Sequence, residues 1–295
     1  MTAPTASRHV AAIEREIDAA RRNGPLRQIV VPPCPELLTR LQQALAEAEP
    51  DLNEVARIAN ADVAMAATLI RNANGALFAS APPVVSVGQA MNRLGLTQTA
   101  ALMTAFLARH ALPVNSPQLA GFWDQSTLRA QALAWIAGQL PGLSVDLAHS
   151  YGLFSHVGLP VLMQSVRGYA GTMVEARARR DRSYVETENA NHRTDHAVVG
   201  ALTARAWKLA PAVMAAIRLH HSLESLGSGD TEPEVHTLVA AGLVADYLLA
   251  RQAGLAPEPE WEPFGAAACD WLGVSTDDLQ HWRESFGEAE ALAAV

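Results

Sequence analysis

Apolar residues recur along most of the chain at spacings of three and four, the period of one helix face, and between 26 and 112 no stretch alternates for long enough to demand a strand. Residues 7–22 carry Val10, Ile13 and Ile17 at those spacings with charges between them, and Asn23-Gly24-Pro25 ends the helix. Val30-Val31-Pro32-Pro33-Cys34-Pro35 holds the chain extended before ELLTRLQQALAEAE, which Pro50-Asp51 stops. Short helices follow to about residue 112, with Ser86 as an N-cap, Gly75 and Gly95 as terminators, and Val84-Val85 as a brief extended pairing.

Asn115 to Gln118, with Pro113 and Pro117 nearby, reads as a joint before a second set of helices that opens at Phe122-Trp123. These helices read as FWDQSTLRAQALAWIAGQL, SVDLAHSYGLFSHVGLPVLMQSV, DHAVVGALTARAWKL, PAVMAAIRLHH and PEVHTLVAAGLVADYLLARQ. Residues 228–233 form a loop, and 260–295 a helical extension whose last residues fray. The predicted division is an N-terminal helix over 1–25, one helical bundle over 26–115, a second over 116–225 and an extension over 226–295. The fold class is all-α.

Composition supports helices, because only 5% of the 295 residues are aromatic and alanine is frequent. Packing must come mainly from Leu, Ala, Val and Met, and Trp123, Trp135 and Trp207 read as core anchors. Lysine and arginine number 22 against 30 acids, a formal charge of −8 that argues against broad nucleic-acid or anionic-membrane binding. The two cysteines, Cys34 and Cys269, form no CxxC pair, so the sequence suggests neither a disulfide framework nor a cysteine zinc site and fits a reducing cytoplasm. The N-terminus lacks the continuous apolar stretch of an export signal. The longest apolar runs, such as Leu238 to Ala245, fall short of the roughly 20 residues that span a bilayer. No phosphate loop, G-x-G-x-x-G, G-x-S-x-G or H-E-x-x-H motif occurs.

The order of motifs resembles the HDOD family, a relative of the HD metal phosphohydrolases found mostly in bacterial signalling. VPPCPELLTRL is similar to the family's Pro-rich opening, and ADVAMAATLIRNANGALFA to its helix ending at an Asn-Gly turn before a Leu-Phe pair. SVGQAMNRLGL, FWDQS, YGLFSHVGLPVL, DHAVVGALTARAW and AIRLHH follow in the family's order, so the resemblance runs from about residue 26 to 225. It implies an HD-like helical bundle preceded by a smaller helical bundle. In an HD enzyme the helix resembling YGLFSHVG would carry adjacent His and Asp, where this chain has Ser155 and His156. The earlier ligand position falls at Gln125, whose amide is a poor substitute for an imidazole. His196 resembles a later histidine of the family, His220-His221 its His-His pair, and Asp246 its last acidic position.

Each candidate also has an ordinary structural reading. His149 and His156 are seven apart and would share one helix face, as interhelical hydrogen-bonding histidines often do. His196 follows the N-cap Asp195, where the positive helix end disfavours imidazolium. His220 and His221 would lie about 100 degrees apart on a helix, so one at most would face a cavity. Asp246, in an uncharged run, needs a partner that a structural hydrogen bond would supply. Arg177, Arg179, Arg180 and Arg182, with Arg167 nearby, could dock a nucleotide phosphate, but Glu175, Asp181, Glu186 and Glu188 would balance them on a solvated helix and turn.

The sequence therefore favours a regulatory, non-catalytic signalling protein without a cofactor. It would act by binding a protein partner, a second copy of itself or a nucleotide. The alternative is a metal-dependent phosphohydrolase using an altered set: His156, His196, one of His220 and His221, and Asp246.

Overall fold

The computed structural model describes residues 8–75, 78, 81–229 and 231–294. Among them there is no strand, and no helix is long and apolar enough to cross a membrane. Ser7 of the first predicted helix, Leu77 of the Leu-Phe pair, Asp230 of the loop and Val295 lie outside the described residues.

The helices fall into two compact units. The smaller holds α2 (Glu36–Ala46), α3 (Leu52–Asn60), α4 (Val63–Ala73), α5 (Val87–Ala111) and, from Gln280 on, the rest of α15 (Thr276–Ala294). Its helix starts are chemical: Asp51 accepts from Asn53 N, Asp62 from Ala64 N and Met65 N, and Ser86 from Gln89 N at 3.3 Å. Leu38, Leu41, Ile58, Met65, Leu69 and Met103 are fully buried, each worth about 1.5–3 kcal/mol of removal from water. Gly95, at φ 77°, breaks α5 where the sequence marks a terminator. Val84 forms no strand pair. Its N–H donates to Asn74 Oδ1 and its carbonyl accepts from Asn74 Nδ2, both at 2.9 Å, so one asparagine satisfies the groups that a strand would.

The larger unit holds α1 (Arg8–Asn23), α6 (Phe122–Gln139), α7 (Val145–Phe154), α8 (Gly158–Ser165), α9 (Tyr169–Ala178), α10 (Tyr184–His192), α11 (His196–Ala206), α12 (Pro211–Leu219), α13 (Pro233–Gln252) and α14 (Trp261–Leu272). Residues 26–32 go with this unit rather than with the first bundle. Trp207 Nε1 donates to Pro32 O at 2.8 Å, and Val30 N to Ser165 Oγ at 3.1 Å. Likewise α13 packs against α6 and α12, so residues 226–279 belong to this unit, while the chain from Gln280 on goes with the smaller one. α1 lies on α12, where Arg218 pairs with Glu16 at 2.8 Å.

Phe154 and Trp207 meet edge to face at 5.8 Å in the core, and Trp123 is also buried, whereas Trp135 is only half-buried. Close helix approach rests on glycine at two places. A Cβ on Gly152 would sit 2.6 Å from Ala130 Cα, and one on Gly158 would sit 2.0 Å from the His196 carbonyl oxygen. The second contact presses the start of α8 against the start of α11, and two of the candidate histidines lie beside it.

Candidate metal centre

The larger unit brings His156, His196, His220 and His221 together, with one ring nitrogen of each within 4.8 Å of all the others. Each histidine arrives from a helix end. His156 occupies the corner between α7 and α8, and His196 is the first residue of α11, capped by Asp195, which accepts from Val198 N at 2.9 Å. His220 ends α12 at φ −64° and ψ −16°, and His221 follows in the turn.

That turn overturns the expectation that only one of the pair could face a cavity. A separation of 100 degrees holds only while the helix continues, and α12 stops at Leu219. The same reason separates His149 from His156. α7 ends at Phe154, so the seven-residue spacing does not carry across, and His149 stands outside the cluster. Burial lowers the His149 pKa to about 4 against a smaller opposing effect of Asp146.

His196 is the hub. Its Nε2 lies 3.3 Å from His156 Nδ1, 3.2 Å from His220 Nε2 and 3.0 Å from His221 Nε2. The opposite nitrogens of three of the rings are committed to acceptors: His196 Nδ1 to Glu188 Oε2 at 2.7 Å, His220 Nδ1 to Ile217 O at 2.7 Å, and His221 Nδ1 to Glu260 Oε1 at 2.6 Å. A carbonyl or ionised carboxylate only accepts, so each Nδ1 carries the hydrogen. In the neutral rings the three Nε2 lone pairs therefore point inward at one another.

Glu188 has no exposed surface. Its Oε2 also accepts from His196 N at 3.2 Å, and its Oε1 accepts the Tyr169 hydroxyl in a short hydrogen bond. Burial, then the Glu188 charge, pushes the Tyr169 pKa well up, which keeps it a donor. For His196, burial is the largest influence and opposes the charged ring, but Glu188, with Asp195 and Glu260, turns the net shift upward, against the expectation drawn from its helix end. Burial lowers His156 and His220 well below the usual imidazole range, helped at His156 by Arg129 and at His220 by His221.

The remaining candidate positions do not converge. Gln125 is exposed on α6. Ser155 is buried, with its hydroxyl donating to Gly152 O at 3.3 Å. Asp246 of α13 accepts from Arg129 Nε at 2.7 Å, the partner that a carboxylate in an apolar run requires. The arginine run is largely self-neutralised, as Arg179 bonds Glu175 at 2.5 Å and Asp181 at 2.9 Å, and Arg182 lies 3.6 Å from Asp181. Arg177 and Arg180 donate to backbone carbonyls. Of the acids assigned to balance them, Glu186 caps α10 through Ser183, and Glu188 serves the histidines instead of solvent. A concavity of about 370 Å³ lies elsewhere, lined by Gly24, Pro25, Arg27, Gln28, His192 and Arg193.

Comparison with known proteins extends this picture. The model of the HDOD domain matches residues 31–223. An HDOD domain protein of unknown function from Geobacter sulfurreducens has a similar structure, with a TM-score of 0.73 and 20% identity over 96% of this chain and 97% of that one. A candidate signal transduction protein of Marinobacter aquaeolei VT8 gives a TM-score of 0.75 at 20% identity, covering 99% of this chain and 66% of its own. A candidate phosphohydrolase of Shewanella amazonensis SB2B gives 0.67 at 20% identity, over 96% of each chain. Identities this low speak for a shared fold. An uncharacterized protein of Treponema pallidum (strain Nichols) is 24% identical over 220 residues, and the chain spans 42% of that relative's length.

Proposed function

Because the chain belongs to the HDOD family, we propose that it is a regulatory signalling module that acts by protein–protein contact and does not hydrolyse phosphoesters. One observation carries this reading: although His196, His220 and His221 are kept, three of the positions that resemble the hydrolytic ligands of HD enzymes are dismantled or occupied. Hydrolysis at a metal needs a coordination position left for water, and carboxylate ligands usually help to tune it. Here Gln125 faces solvent, Ser155 is turned to a backbone carbonyl, and Asp246 is held by Arg129.

The connection of the histidine cluster to the surface favours a regulatory role. His220 and His221 end α12, which α1 clasps through the Arg218–Glu16 pair. α12 thus joins the histidines to an outer helix, α1, where a protein partner or a second copy of the chain would read a change at the centre. A nucleotide is the less favoured partner, because the arginine run carries its own counter-charges.

The experiment is an assay of the full chain, supplied with manganese, iron or zinc, against phosphomonoesters, phosphodiesters and cyclic dinucleotides. The expected result is turnover no faster than that of the His196→Ala variant. Turnover that depends on His196 would sink this reading in favour of hydrolysis.

A further inference from the structure

We propose that His156, His196, His220 and His221 form a closed, all-imidazole site for one divalent transition metal, with zinc the best match. The inward nitrogens lack enough protons to satisfy one another. His196 Nε2 faces ring nitrogens of three other histidines at 3.0–3.3 Å, and two of those rings already hold their hydrogens outward on Nδ1. A single proton on His196 could satisfy only one of those neighbours. A cation at the centre satisfies every inward lone pair at once.

The spacing agrees. Four nitrogens about 2.0–2.1 Å from a tetrahedral centre stand about 3.3–3.4 Å apart. The observed 3.3, 3.2 and 3.0 Å are near that edge, and the remaining separations stay within 4.8 Å. Small movements at helix ends would close the rest.

The outer partners agree as well. Metal-bound histidines characteristically donate their other N–H to a carboxylate or backbone carbonyl, which fixes the tautomer and raises ligand basicity. Glu188, Glu260 and Ile217 O accept in this way from three different rings. An ordinary interhelical histidine network needs no such common outward polarity, because its rings satisfy one another by alternating donor and acceptor.

The donor set also limits the chemistry. Imidazole suits zinc, copper, iron and nickel, and the tetrahedral spacing selects zinc among them. Four protein ligands fill a tetrahedral shell, so the bound ion would lock four helix ends together instead of activating water. The site differs from the altered set considered from sequence alone, because it uses both His220 and His221 and leaves out Asp246.

This proposal and the regulatory reading fail separately, since hydrolysis would overturn the latter and an empty titration the former. The full chain, purified without chelator and stripped, is titrated with zinc and with cobalt(II) as a spectroscopic probe. The expected result is about one ion per chain and the intense visible bands of tetrahedral cobalt. His221→Gln should lose at least tenfold in affinity, while Asp246→Asn and His149→Gln keep wild-type binding. Weak six-coordinate cobalt bands, no stoichiometric uptake, or loss of uptake in Asp246→Asn with His221→Gln unaffected would overturn it. Circular dichroism of each variant separates a lost ligand from a lost fold.

Discussion

Glu188→Gln tests the centre at the group that orients its hub. The substitution keeps shape and removes charge in a residue with no exposed surface. The amide that replaces the carboxylate could still accept from the His196 N–H groups through its oxygen and donate to Tyr169 through its nitrogen, so the packing should hold. What changes is the bond from His196 Nδ1, 2.7 Å long in the native chain, from charge-assisted to neutral. Such bonds contribute about 1.5–3 and 0.5–1.5 kcal/mol respectively, so the substitution should remove about 1–1.5 kcal/mol from the orientation and basicity of the His196 ligand. At 1.36 kcal/mol per decade this is about tenfold in Kd. It falls at the lower end of the roughly 10- to 100-fold losses seen when carboxylate partners of ligating histidines are replaced. Competition of the stripped chain with a chromophoric zinc chelator measures Kd directly, and a urea midpoint taken alongside shows whether the fold has moved. A Kd within about twofold of wild type, with the fold intact, would refute the idea that Glu188 positions His196 for a cation.

Further substitutions probe the scaffold. Folding leaves His149 with a pKa of about 4 against 6.5 for a free histidine, so below pH 6.5 the unfolded chain binds a proton that the fold refuses. Its contribution is fully present above that pH and is lost as pH falls towards 4, amounting to about 2 kcal/mol by pH 5. Urea unfolding of wild type and His149→Gln at pH 7 and pH 5 should show a shallower pH slope in the variant, and equal slopes would count against it. Gly158→Ala places a methyl 2.0 Å from the His196 carbonyl and should cost about 3 kcal/mol or more and disturb the centre. Gly171→Ala, on a helix with open space around its Cβ, should be neutral or stabilising, and similar urea midpoints for the two variants would refute the close-packing argument.

The fold was largely legible because apolar residues recur at helical spacing, and several helices open on a capping residue such as Asp51, Asp62 or Ser86. The centre was less legible, for two physical reasons. Helix arithmetic places side chains only within a helix, whereas His156, His220 and His221 lie at or beyond helix ends, and their convergence depends on φ and ψ values that no period encodes. The second reason concerns α10, whose buried side chains are Thr187 and Glu188. Hydrophobic periodicity cannot find a buried face that is polar, so Glu188 reads as one more acid beside an arginine run. The signal that could have found it is the spacing of Tyr184 and Glu188, four apart and so on one face, eight residues ahead of His196. A ring, a carboxylate and a helix-start histidine in that order mark the polar interior here, where the half-buried Tyr184 ring meets His196 edge on at 5.6 Å and Glu188 accepts from its Nδ1.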